Sequence, residues 1–269
     1  MLPVFLASIK TRDRVRLDGV FVEPNRKKSD IALIWIHGLS STFYSGQALI
    51  KEVSSQCSGV GIGYFKFNTR GHDIVARSND RLMGAGFEEF EDCIYDIRAM
   101  ILYTRKLGYR KIILAGHSTG ANKALYYLHK TGDRCVKGIM LLGPINDIIA
   151  EQQRNGAAHV MRGIKIARRL TKAKKSDALM PMKFGVLTAR RFLSLYESGL
   201  AEDTFPYYNP QARWKELRSV RVPIAVILGS RDEYLDRPAK EFIKIFKTHA
   251  EHTRKFSGII IKGGDHGFG

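Results

Sequence analysis

The sequence predicts an α/β fold: a mostly parallel central sheet with helices on both faces, interrupted once by a helical insertion. Three observations carry the prediction. Short continuous apolar runs, of the kind that a parallel sheet buries on both faces, alternate with amphipathic helical patterns. Each run ends in a loop rich in glycine and polar residues, and in a parallel sheet such loops gather at one edge, where ligands bind. The rhythm stops over residues 145–213, which read as strandless and helical. A chain of 269 residues is long enough for one large core, so we expect one core domain from 1–144 and 214–269, with 145–213 inserted into it.

Taken in order, residues 4–9 and 15–22 read as strands, and the turn signal Glu23-Pro24-Asn25 follows the second. Together they predict an amino-terminal hairpin at the sheet edge. Ile31–Ile36 is a buried strand closing in His37-Gly38-Leu39-Ser40-Ser41. Residues 44–58 suit a helix, 61–67 a strand, and Asn68-Thr69-Arg70-Gly71-His72-Asp73 a loop. Over 86–107, Phe87, Phe90, Ile94, Ile97, Ile101 and Leu102 recur at helical spacing with acids early and bases late, which suits the helix dipole. This is the longest helix the pattern predicts. The apolar run that starts at Lys111 reads as a strand entering the Gly116–Gly120 turn, and a helix over 121–129 and a strand over 136–142 follow. After the insertion, 222–228 resumes the sheet and reaches Gly229-Ser230-Arg231-Asp232. A helix over 238–248 and a last strand over 258–262 lead to Gly263-Gly264-Asp265-His266.

Composition excludes several classes. No apolar stretch approaches the roughly 20 residues that span a bilayer, so no membrane partner is expected. Residues 1–10 are too short for a signal peptide and lack a small-residue cleavage site, so a cytoplasmic location is expected. Cys57, Cys93 and Cys135 form no Cys-x-x-Cys pair, which points to free thiols rather than a disulfide framework or zinc site. The net charge of +18 raises the question of nucleic acid. The bases are spread along the chain, however, and no helix-turn-helix, zinc finger or aromatic RNA-binding signature accompanies them. The densest run, Lys165, Arg168, Arg169, Lys172, Lys174 and Lys175, fits either the solvated face of a helix or steering of an anionic substrate. Nothing in the sequence signals an oligomeric state.

The chemistry centres on Lys111–Gly120, an apolar run ending in Gly116-His117-Ser118-Thr119-Gly120 ahead of a helical pattern. Glycines flank Ser118 because a side chain there would strike the neighbouring strand and helix, and the strained turn projects the hydroxyl from the sheet edge. The competing reading is a glycine-rich turn with an inert serine. Serine needs a base within hydrogen-bond reach, itself oriented by a carboxylate. His266 follows the last strand and Asp232 the one before it, so the topology brings both to the edge that carries Ser118. Glu233 and Asp236 are rival acids, and Asp265 reads as a capping or solvated residue. His37 and His117 read as supports of tight loops. The remaining histidines lack metal-ligand spacing, so no metal and no cofactor are expected.

With His37-Gly38, Asn68-Thr69-Arg70-Gly71-His72, the Ser118 turn, Gly229 to Asp232 and Gly264-Asp265-His266 in this order, the chain resembles the α/β-hydrolase superfamily over nearly its whole length. Within it the chain looks most like lidded small-ester hydrolases. Gly116-His117-Ser118-Thr119-Gly120 and Asp232-Glu233-Tyr234 are similar to siderophore and feruloyl esterases. The resemblance implies an α/β-hydrolase fold with Ser118 as nucleophile, His266 as general acid and base, and Asp232 as its orienter. It further implies an oxyanion hole from the backbone N–H groups of Leu39 and Thr119, and a small-molecule ester as substrate. The insertion 145–213 would be a lid, with Leu179, Met180, Met182, Phe184, Phe192 and Leu195 supplying the acyl pocket, Phe184 and Phe192 foremost. Thioesterase, perhydrolase or acyltransferase chemistry on the same residues stays open, as does a non-catalytic binding protein. Family members usually continue past the histidine loop into a helix, whereas three residues follow His266 here, which predicts a loop either frayed or covered by another element.

Overall fold

The computed structural model describes residues 3–25 and 29–269; Met1 and Leu2 of the apolar amino-terminal segment lie outside them. Strands β1 (Phe5–Lys10) and β2 (Arg16–Val22) form the expected hairpin, and β3 (Ile31–Ile36) follows. Helix α1 (Gln47–Gly59) leads to β4 (Gly63–Phe67), then to a small hairpin of β5 (Ala76–Ser78) and β6 (Arg81–Met83). Next come α2 (Cys93–Lys106), β7 (Lys111–His117), α3 (Thr119–Thr131) and β8 (Val136–Leu142). The insertion holds α4 (Asp147–Asn155), α5 (Ala157–Lys172) and α6 (Ala189–Tyr196). The chain closes with α7 (Lys215–Arg218), β9 (Ile224–Gly229), α8 (Ala239–His249) and β10 (Phe256–Ile261).

The eight-stranded sheet runs β1-β2-β4-β3-β7-β8-β9-β10. Every neighbouring pair from β4 to β10 is parallel; only the pairs involving β2 are antiparallel. Residues alternate between two buried faces. Ile34, Ile36, Phe65, Phe67, Ile112 and Leu114 pack with α2, α3 and α8 on one face. Leu33, Trp35, Tyr64, Ala115 and Leu142 pack on the other, against α1. This two-sided burial is why the strands read as continuous apolar runs, each fully buried aliphatic contributing about 1.5–3 kcal/mol.

Two expectations need correction. The helix predicted over 86–107 begins only with a 3₁₀ turn at Phe90–Asp92, and at 14 residues α2 is shorter than α5, which has 16. The cause is local: Gly84 sits at φ +102°, and a Cβ on Gly86 would lie 2.2 Å from the Val186 carbonyl oxygen. Glu88 is also pulled into a buried ion pair rather than onto a helix surface. Helix α1 starts at Gln47 rather than 44, because Gly46 adopts a left-handed conformation at φ 71°.

The insertion has its own small core of Ala167, Met180, Phe184, Ala189 and Phe192. It is joined to the sheet by buried charge. Arg191 of α6 reaches Glu88 and Glu202, and Lys123 of α3 meets the same Glu88. The basic run is exposed throughout, with Arg168 paired to Glu197. Beyond β10 the histidine loop is not frayed. Asp265 accepts from the backbone N–H of Gly267 and Gly269, and Phe268 packs edge-on to the His117 ring at 5.9 Å. No helix among the described residues is long and apolar enough to cross a membrane.

Candidate active site

Ser118 stands between β7 and α3 with φ 55° and ψ −131°, a strained conformation for a residue with a side chain. The turn closes because its neighbours lack side chains. A Cβ on Gly116 would lie 2.2 Å from the Gly120 carbonyl oxygen, and one on Gly120 the same distance from that of Ile36. From β3, Gly38 comes so close that its Cβ would sit 2.8 Å from Ser118 Cβ. The Ser118 N–H donates to the Leu142 carbonyl at 2.9 Å, pinning the turn to β8.

Asp232 and His266 arrive on the loops after β9 and β10. A Cβ on Gly229 would be 2.3 Å from the Gly264 carbonyl oxygen, so glycine there lets the two loops touch. His266 Nδ1 lies 3.0 Å from both carboxylate oxygens of Asp232, and the two residues are 9% and 6% exposed. A carboxylate accepts, so Nδ1 donates and Nε2 carries the lone pair. Nε2 is buried and has no hydrogen-bond partner. Gly143, at φ 51°, makes room for the pair: a Cβ would fall 3.0 Å from His266 Cε1.

The rival acids are placed elsewhere. Glu233 accepts from the His266 backbone N–H at 3.1 Å, and Asp236 pairs with Arg237. Tyr234 stands edge-on to the His266 ring at 4.5 Å.

The two loop histidines act as struts. His117 Nε2 lies 2.8 Å from the His266 carbonyl oxygen, and burial depresses its pKa to about 4, so a neutral ring donates there. His37 is fully buried and likewise pushed down by desolvation. Its Nδ1 donates to the Gly38 carbonyl and its Nε2 accepts from the Thr69 N–H, each at 2.8 Å. One imidazole thereby ties the β3 loop to the β4 loop.

These loops enclose a cleft of about 350 Å³ lined by Gly38, Leu39, Ser118, Thr119 and His266 on the sheet side. Thr119 is the first residue of α3, where the amide N–H has no partner inside the helix. The other wall comes from the insertion: Ile145, Asp147, Ala150, Glu151, Arg154 and Tyr196. Phe184 and Phe192 are not part of it. They pack against each other at 5.4 Å in the insertion's own core, which corrects the expectation that they shape the pocket. The apolar spacing that singled them out reports burial, and it cannot distinguish a core from a pocket. The residues sequence reasoning missed carried a usable signal. Asp147, Ala150, Glu151 and Arg154 recur at helical spacing just after the β8 loop, at the ligand-binding edge of the sheet. Among the described residues no cluster of metal-ligating side chains occurs.

Comparison with solved structures places the fold. The siderophore hydrolase EstB from Aspergillus fumigatus is 18% identical with a TM-score of 0.71, the alignment covering 99% of this chain and 91% of that one. An esterase of Pyrococcus furiosus, Pf2001, is 18% identical with a TM-score of 0.61, covering 99% and 84%. Est1E from Butyrivibrio proteoclasticus, solved with ferulic acid bound, is 17% identical with a TM-score of 0.59, covering 97% and 92%. At these identities the likeness shows the fold, which is that of the α/β hydrolases. No curated protein matches the sequence. A family model described as "Protein of unknown function (DUF1749)" matches residues 71–269.

Proposed function

The chain belongs to the DUF1749 family and carries the α/β-hydrolase fold, and from that premise we propose that it is a serine hydrolase cleaving carboxylic esters through an acyl-enzyme. The observation that carries the reading is the His266 imidazole, held through Nδ1 by Asp232, with an unpartnered Nε2 at the cleft that also exposes Ser118. In the proposed reaction Ser118 Oγ attacks the ester carbonyl while His266 Nε2 takes the hydroxyl proton. Asp232 fixes the tautomer and stabilises the imidazolium. The proton then passes from His266 to the departing alkoxide, and water, deprotonated by the same nitrogen, releases the acid and free Ser118. Charge on the carbonyl oxygen falls to the N–H groups of Leu39 and Thr119, each worth about 2.7–4 kcal/mol in such a hole.

That the solved neighbours include an esterase and a siderophore hydrolase supports an ester as the bond cleaved. We further propose that 145–213 roofs the site as a lid on the core of 1–144 and 214–269. Its buried ion pair from Arg191 to Glu88 favours a fixed roof over a hinged flap. A fluorophosphonate probe should label the wild type once and Ser118→Ala not at all, with ester turnover lost in parallel. Labelling that survives in Ser118→Ala would overturn the assignment.

A further inference from the structure

The insertion's wall of the cleft is unlike a pocket for an alkyl chain. Asp147, Ala150, Glu151 and Arg154 stand at i, i+3, i+4 and i+7, so one stripe of α4 faces the cleft. Arg154 is turned to the rim, where its Nη2 donates to the Tyr234 hydroxyl at 3.0 Å. Glu151 Oε1 accepts from Asn155 Nδ2 at 2.6 Å, and the one base near it, His159 Nε2, is 3.9 Å away. Asp147 has less: the residue is partly exposed to the cleft, yet its Oδ2 is buried without a hydrogen-bond partner.

The neighbouring cations are committed elsewhere. Arg191 spends all five donors on the Ala85 carbonyl, Ser194, Glu88 and Glu202. Lys123 Nζ is 2.7 Å from Glu88. Burial, and after it the charge of Glu202, push the Asp147 carboxyl well above the usual range, with Arg191 and Lys123 only partly opposing. In the free protein no uncommitted cation faces this carboxyl from Arg191 or Lys123.

We infer that the substrate supplies that cation: it is an ester bearing a protonated amine, which seats against Asp147 and Glu151 on α4. The inference rests on the ester-hydrolase reading and deepens it. An ammonium brings three donors, enough for Oδ2 of Asp147 and the Glu151 carboxylate together. A seated ammonium favours the charged carboxylate, against the upward push of burial, so selection for the amine strengthens as pH rises through the Asp147 titration. The groups facing Asp147 that set this response are Glu202, Arg191 and Lys123 behind it, Glu151 and Arg154 along α4, Tyr196 from α6, Tyr207, and His117 and His266 across the cleft. The exposed basic run of α5 lines no part of the cleft and takes no part in this choice.

Two matched pairs of esters test the inference. One pair is aryl 6-aminohexanoate and aryl heptanoate; the other is the 2-aminoethyl and propyl esters of one acid, which puts the amine on the alcohol side. The amine ester of at least one pair should be preferred by about tenfold or more in kcat/KM, the size of a charge-assisted hydrogen bond. Asp147→Asn should bring that ratio close to one, and Glu151→Gln should lower it severalfold, which keeps the test alive if the first variant fails to fold. Butylammonium, but not butanol, should also slow fluorophosphonate labelling of Ser118 in the wild type. Turnover of the neutral esters with no preference for either amine ester overturns the inference and leaves the esterase reading standing. An unchanged ratio in both variants likewise overturns it. Failure of all four esters together with no labelling of Ser118 rejects the esterase reading, and the inference with it.

Discussion

Replacing Arg191 with methionine should cost about 3–5 kcal/mol of stability, the usual loss when one partner of a buried ion pair is removed. The figure follows from what is left behind. Arg191 is fully buried; its Nε donates to the Ala85 carbonyl at 2.9 Å, and its two terminal nitrogens reach Glu88 at 3.0 Å and Glu202 at 2.5 and 3.1 Å. Once it is gone, Glu88 still has Lys123 at 2.7 Å, whereas Glu202 keeps only the Ser194 hydroxyl at 2.8 Å. One buried carboxylate is therefore uncompensated, not two. At roughly 2–4 °C per kcal/mol for a chain of this size, the melting temperature should fall by about 6–20 °C. Urea unfolding followed by circular dichroism reads the loss directly. The double variant Arg191→Met with Glu202→Gln should recover at least half of it, since the stranded charge is then neutral. A loss below about 1 kcal/mol, or no recovery in the double variant, would refute the claim that this guanidinium joins the insertion to the core.

Other perturbations separate the roles assigned to individual residues. Asp232→Asn should lower kcat/KM by up to about 10⁴, while Glu233→Gln and Asp236→Asn stay within about tenfold; equal losses in all three would mean the orienting acid is misassigned. Phe192→Ala should cost about 3–5 kcal/mol yet leave chain-length preference across a p-nitrophenyl ester series unchanged, because Phe192 is 1% exposed within the insertion's own core. A shifted preference would return it to the pocket. Burial holds His117 at a folded pKa of about 4 against 6.5 unfolded, so the unfolded chain binds the extra proton, and the ring's contribution to stability rises with pH between those values, by up to about 1.4 kcal/mol per pH unit. Relative to the wild type, His117→Gln should flatten the stability slope between pH 4 and 6.5. Identical slopes would mean the ring is not held neutral.

Local pattern carried the sheet and the loops that bear Ser118, Asp232 and His266, because a strand buried on both faces and a turn that excludes side chains each leave a short-range mark. Ile31–Ile36 and Val136–Leu142 match their apolar runs residue for residue. The Glu88–Lys123 and Glu88–Arg191 pairs left no such mark, since their partners lie 35 and 103 residues apart. Tertiary pairing of this kind also broke the helix expected at 86 and committed the charges that leave Asp147 alone. Phe184 and Phe192 were misplaced for a related reason: apolar spacing identifies what is buried, and only the fold decides against what.

The most direct test of the central claim is to trap the acyl group. Wild-type protein mixed with excess p-nitrophenyl ester, quenched in acid within the first turnover and analysed as intact protein and as peptides, should carry one acyl group on Ser118. His266→Ala should carry little and Ser118→Ala none. Turnover of the ester with no acyl adduct at any quench time, or an adduct on another residue that persists in Ser118→Ala, would contradict the account.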